Sequence, residues 1–309
     1  KTYIMKKLLY LFLTVLIVAC SSEDNNNDGN NNNQSSCPIY LDSNGITIKA
    51  CDDANFGDTG VVNGVTYTVV NRNMLREMIT NNEDVSKVAT TKVDNMANLF
   101  YNNSSFNQPI GNWDVSNVTS MNSLFGGATS FNQPIGDWYT YSCVDFGGMF
   151  AGATSFNQPL PGNWLAKPFG TATTEISLSS MFAGATSFNQ DISSWGVINV
   201  RSMGSMFSGA TSFNQPIGNW VLQGQQSSFY PGPSFMQSMF YEATSFNQDL
   251  SSWDTSNIVT MGSMFNGASS FNQDLSSWNV DNVNSCDSFN FRADSWTLPK
   301  PNLPSSCLN

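Results

Sequence analysis

The sequence predicts an α/β repeat solenoid in which each 25-residue coil supplies one short parallel strand and one short helix, closed by a cap at either end. Three observations predict it. Ser-Phe-Asn-Gln occurs seven times, with its Phe at 106, 131, 156, 188, 213, 246 and 271, so the period is 25 residues with two insertions. Large apolar residues recur in fixed columns: Trp113, Trp138, Trp164, Trp195, Trp220, Trp253 and Trp278; Leu99, Leu124, Met149, Met181, Met206, Met239, Met264 and Phe289; and Phe100, Phe125, Phe150, Phe182, Phe207, Phe240 and Phe265. One unit cannot bury such side chains alone, whereas neighbours above and below can cover them.

Within a unit, Asn117-Val118-Thr119-Ser120-Met121 is β-branched and alternating, which suits a short strand. Apolar residues at Met121, Leu124, Phe125 and Ala128 follow with helical spacing, which predicts a short helix. The Asn-Gln pair, often followed by proline (Pro109, Pro134, Pro159, Pro216), reads as a turn whose amides bond the neighbouring unit as an asparagine ladder. The solenoid spans residues 93–296.

The ends depart from the repeat. Residues 37–92 form an N-terminal cap: a hairpin with loop Ser43-Asn44-Gly45 places Cys37 opposite Cys51 for a disulfide, Asn63-Gly64 signals a second hairpin, and Asn73 to Thr80 is helix-compatible. At the other end Asn290 and Trp296 replace the two repeat Phe residues, and Pro299, Pro301 and Pro304 stop further coiling in a tail over 297–309. A bridge between Cys286 and Cys307 pins that end, which would stabilise it by about 3 kcal/mol through loop closure. Cys143 takes the place of Val118 one unit earlier and reads as a small buried side chain.

Composition excludes several functions. The net charge of -11 argues against nucleic-acid binding, and with no histidine the commonest general base and metal ligand are both missing. No phosphate loop, dinucleotide fingerprint or nucleophile elbow is found, so no catalytic residue, cofactor or metal is assigned and the chain reads as a non-enzyme. Asp191, Asp249 and Asp274 share one repeat position, which reads as a solvated edge rather than the paired carboxylates of a glycosidase.

The front end reads as an address. From Met5, two lysines and an apolar run over Leu8 to Val18 make a signal segment over residues 1–19 that is too short to span a membrane. It ends in Ile17-Val18-Ala19-Cys20, which resembles the lipobox of bacterial lipoproteins and implies lipid attachment at Cys20. Glu23 and Asp24, so close to Cys20, look like the export signals that carry some bacterial lipoproteins to the outer face. Processing would leave 9 basic against 23 acidic residues, a net of -14, so membrane contact is through the lipid anchor alone. Residues 20–36 are an Asn/Ser-rich disordered linker; Asp24 to Gly29 matches the start of a calcium loop, but its twelfth position is Ser35 rather than Glu.

The pattern Phe-Asn-Gln-x-Ile-x-x-Trp-x-x-Ser-Asn-Val-x-x-Met-x-x-x-Phe resembles the repeats of BspA-family leucine-rich-repeat-like bacterial surface proteins over about Val93 to Trp296. The resemblance implies an extracellular solenoid for adhesion or protein recognition, with a surface protein as partner; glycan capture by exposed aromatics is the alternative. Both insertions, Leu165 to Ser177 and Val221 to Phe235, fall between the Trp and Met columns and therefore project from one edge. They carry Phe169, Phe229 and Tyr230, and the matching segment of the second unit has Tyr139 and Tyr141, so these five aromatics are the expected contact patch.

Overall fold

The computed structural model describes residues 38–165, 175–222 and 235–307. The signal segment, Cys20, the linker, Cys37, Phe169, Phe229 and Tyr230 lie outside them. The chain opens with β1 (Ile39–Leu41) and β2 (Ile48–Ala50), an antiparallel pair in the register Ile39↔Ala50 and Leu41↔Ile48. The turn holds four residues rather than three, because Asn44 Oδ1 accepts from both Ile46 N (2.9 Å) and Thr47 N (2.9 Å) and so keeps Ile46 in the loop. That shifts the pairing by one: Cys51 N donates to the Pro38 carbonyl (3.0 Å), so Pro38 stands opposite Cys51, while the expected bridge partner Cys37 lies outside the described residues.

The second hairpin, β3 (Thr59–Val62) and β4 (Val65–Val69), turns at Asn63 and Gly64, whose φ values of 51° and 80° are the left-handed pair that a two-residue turn requires. Helix α1 (Arg72–Thr80) follows, its N-cap Asn71 accepting from Asn73 N and Met74 N. Strand β5 (Val88–Ala89) then pairs in parallel with β4. The two hairpins enclose a small core of Ile39, Ile48, Ala50, Ala54, Val69 and Ala89, separate from the continuous core that runs from Val70 to Cys307.

From Asn95 onward the units join in parallel register through Asn95↔Ser120, Ser120↔Asp145, Asp145↔Ser177, Ser202↔Phe235, Phe235↔Thr260 and Thr260↔Ser285. Most units contribute a single bridging residue where a strand was expected; among the described residues of the array only β6 (Ile176–Ser177) and β7 (Val200–Ser202) are longer. Ile48 adds itself to the first unit by accepting a parallel bridge to Trp113, its N–H donating to Asn112 O at 2.9 Å.

Where a helix was expected over Met121 to Ala128, the chain makes successive turns. Met121, Ser123, Phe125 and Gly127 donate to Asp145, Gly147, Met149 and Ala151 of the next unit at 2.7–2.8 Å, while Leu124, Gly126 and Ala128 close turns three residues back. A helix would use these N–H groups internally; here alternate ones leave sideways. Positive φ at Ser123 (50°) and Gly127 (72°) makes this possible, and the same pair recurs as Ser180 and Gly184, Ser205 and Gly209, and Ser263 and Gly267. At Gly127 a Cβ would stand 2.3 Å from Asn102 Oδ1, so glycine also permits the close approach.

Candidate functional site

Most repeat residues are occupied with holding units together. Asn132 N and Gln133 Nε2 donate to Asn107 Oδ1 (2.9 and 3.0 Å), Asn157 N and Gln158 Nε2 to Asn132 Oδ1, and the pattern continues through Asn189, Asn214 and Asn247 to Thr297 N on Asn272 Oδ1. The Asn-Gln pair is therefore an amide ladder. Each indole does likewise: Trp138 Nε1 donates to Ile110 O (3.0 Å) and Trp253 Nε1 to Ile217 O (3.0 Å), so a large apolar side chain is buried with its one donor satisfied. Phe106, Phe131 and Phe156 stack at 5.8–5.9 Å, and Trp220, Trp253 and Trp278 at 6.2–6.4 Å.

The acids of the shared position serve their own turns. Asp191, Asp249 and Asp274 each accept from a backbone N–H two residues on, at Ser193, Ser251 and Ser276 (2.8, 2.8 and 3.0 Å). Hydrogen bonds from Ser193 and Ser276 hold the Asp191 and Asp274 carboxyls below the usual carboxylate range. Cys143 is fully buried, its thiol directed to the Asp145 carbonyl (3.6 Å). Cys286 and Cys307 form a disulfide with a Cα separation of 5.1 Å.

The departures from the repeat are what remain for a ligand. Tyr139 is 60% exposed and its ring lies parallel to that of half-buried Tyr141, with centroids 5.8 Å apart. Tyr139 also lines a cleft of about 290 Å³ between the β1–β2 turn and the first unit, together with Asp42, Lys49, Asp114, Ser116 and Asp137. Asp114 is 3% exposed; its Oδ1 accepts from Ser116 N (3.1 Å) and Ser116 Oγ (2.7 Å), whereas Oδ2 is buried without a hydrogen-bond partner. Lys49 Nζ pairs with Asp42 Oδ2 at 3.0 Å. Partial burial works against the Lys49 ammonium, but the hydrogen bond to Asp42 and the nearby Asp114 charge hold its pKa above the usual lysine value.

Of the five aromatics expected to form a contact patch, Tyr139 lines this cleft and Tyr141 stacks on Tyr139, Phe169, Phe229 and Tyr230 lie outside the described residues, and Asp42, Lys49, Asp114 and Asp137 were not among those expected. Asp114 carried no signal of its own: Asp254 takes the same place after the Trp column and accepts from Ser256 as Asp114 does from Ser116. Nothing in the repeat announces that the β1–β2 turn folds over it, because that contact joins residues about 70 positions apart.

Three stretches, residues 70–174, 171–230 and 234–302, match the family described as Mycoplasma protein of unknown function, DUF285. The chain belongs to this repeat family. No curated protein and no solved structure matches it. Among the described residues no helix is long and apolar enough to cross a membrane.

Proposed function

We propose that the chain is a lipid-anchored, non-enzymatic recognition module on the outer surface of a bacterium, a leucine-rich-repeat-like solenoid of the kind that BspA-family surface proteins use for adhesion. The supporting observation is the division of labour among its residues. Repeat amides, indoles and phenyl rings are engaged between units, while Tyr139 and Tyr141, which break the repeat, stand beside a polar cleft on the surface. Exposed aromatics next to polar groups form the kind of patch that a partner buries. The anchor at Cys20 would hold that patch away from the membrane through the linker over residues 20–36.

A screen of the chain against arrays of surface proteins and glycans tests the reading. A partner whose binding weakens at least several-fold in Tyr139→Ala and Tyr141→Ala, with an unchanged melting temperature, is the expected result. Binding indifferent to both variants removes this surface as the contact for that partner, and a full screen without binding counts against the recognition reading. Glycan capture is the second reading, favoured by the parallel Tyr139 and Tyr141 rings, and sugars are therefore included on the array. Anchoring is checked separately: Cys20→Ser should lose acyl label and membrane partitioning, and retention of both would refute the lipoprotein assignment.

A further inference from the structure

We propose that the cleft between the β1–β2 turn and the first repeat unit receives a basic side chain, the guanidinium or ammonium group of a partner protein. The inference rests on the reading of the chain as a recognition module and names what that module grips.

The argument is an inventory of uncommitted groups. Asp42 uses Oδ1 on Ser43 N (2.8 Å) and Oδ2 on Lys49 (3.0 Å). Asn44 uses Oδ1 on Ile46 N and Thr47 N, and its amide donates to Thr47 Oγ1 (2.8 Å). Ser116 gives its N–H and its hydroxyl to Asp114 Oδ1. What is left over is Asp114 Oδ2, buried and without a donor, and the Asp137 carboxylate, exposed and without a hydrogen bond or ion pair among the described residues. Both are acceptors, and both belong to anions.

A carboxylate oxygen withdrawn from water without a donor is unfavourable, and a cationic donor relieves it more than a neutral one because the hydrogen bond is charge-assisted. Three carboxylates against one ammonium leave the cleft with two net negative charges. At its mouth the Tyr139 ring is 60% exposed, a surface over which a cation is attracted by the ring quadrupole. The field of the whole chain, at -11, steers in the same direction. A sugar hydroxyl would be a weaker partner for Asp114 Oδ2 than a cation, because its hydrogen bond lacks a charged donor, and Lys49, Ser116 and Asn44 each already donate within the cleft, to Asp42, Asp114 and Thr47. A metal ion fits less well, since among the described residues no three carboxylate, thiolate or imidazole groups gather to hold one.

The test titrates the full chain with Ac-Gly-Arg-Gly-NH2, Ac-Gly-Lys-Gly-NH2, Ac-Gly-Gln-Gly-NH2 and methyl galactoside, followed by saturation-transfer NMR on the probes. The basic peptides should bind, the glutamine peptide at least roughly 10-fold more weakly, in line with loss of a charge-assisted bond. Binding should fall as salt is raised, and Asp114→Asn and Asp137→Asn should each weaken it by roughly 10-fold. Asp137 and Tyr139 are exposed, so Asp137→Asn and Tyr139→Ala decide the matter even if Asp114→Asn fails to fold. Equal binding of the glutamine peptide, indifference to Asp137→Asn and Tyr139→Ala, or galactoside binding that depends on Asp114 would overturn the proposal. An array partner unaffected by those variants, together with silent basic peptides, sinks the cleft and leaves the recognition reading standing. Peptide binding that disappears in Asp137→Asn, in a chain with no array partner, supports the cleft and counts against the wider reading.

Discussion

The two ends of the array are closed by different means. At the N-terminal end a cap with its own small core covers the first unit, and Arg72 of α1 reaches across to donate to Asn95 O (2.9 Å) and Ala97 O (2.7 Å). At the C-terminal end a short tail suffices: the Cys286–Cys307 disulfide ties it down and Trp296 turns edge-on to Phe271 (4.7 Å, 82°), where Phe246 before it stacks flat on Phe271 (3°). The difference follows from the direction of the inter-unit hydrogen bonds. Each unit donates N–H groups to the carbonyls of its successor, as Ser263 does to Asp287 and Gly267 to Phe291. The first unit therefore presents carbonyls, which need a donor when a cap covers them, and one guanidinium supplies two. The last presents the N–H groups of Ser288 and Arg292 on exposed residues, where water can serve them.

Interior units should be more sensitive than either end. Trp253 stacks between Trp220 and Trp278 and bonds to Ile217 O, so Trp253→Ala should destabilise by about 3–5 kcal/mol in urea unfolding, and a change under about 1 kcal/mol would contradict its role in the stack. Trp296→Ala, with neighbours on one side, should give the smaller effect of the two.

Next in size is the C-terminal closure. Reduction of the disulfide, or Cys307→Ser, should cost about 3 kcal/mol and be felt first as faster hydrogen exchange around Phe289 and Trp296. Uniform exchange along the whole array would show instead that the ends and the interior unfold as one unit.

At the N-terminal end, Arg72→Met should cost about 1–3 kcal/mol, because it leaves the Asn95 and Ala97 carbonyls without their donor. Arg72→Lys, which keeps the charge but loses the fork, should recover part of it in the same thermal melt. Within the ladder, Asn189→Ala removes the acceptor for Asn214 N and Gln215 Nε2 on an exposed edge and should cost about 1 kcal/mol.

The smallest expected effect is on pH dependence. The Asp84 carboxyl is held below its usual range by Ser86 and Lys87, and those of Asp191 and Asp274 by Ser193 and Ser276. A depressed folded pKa means that the stabilisation is present above the unfolded value of about 3.9 and is lost as pH falls through the lower folded value. The Asp84→Asn, Asp191→Asn, Asp274→Asn triple variant should thus lose less melting temperature than the parent between about pH 5 and pH 2. An identical acid limb would mean that these three turns contribute nothing.

Much of the array was legible because a strict period makes every unit testify about the others. The Trp, Phe and Met columns, Asn63-Gly64 and the approximate span of α1 were all readable from residue type and spacing. The turn ladder over Met121 to Ala128 was not, since apolar spacing of three and four residues suits a helix and a stack of turns equally; the serine and glycine recurring four residues apart was the neglected signal. Local composition by itself determined which residues would be buried, because burial follows from apolar type and repeat position. Tertiary structure alone decided where alternate N–H groups go, that Cys51 faces Pro38, and that Asp42, Lys49, Asp114 and Asp137 meet beside Tyr139. Those depend on hydrogen bonds and contacts between segments remote in the chain, and no residue's own chemistry specifies its distant partner.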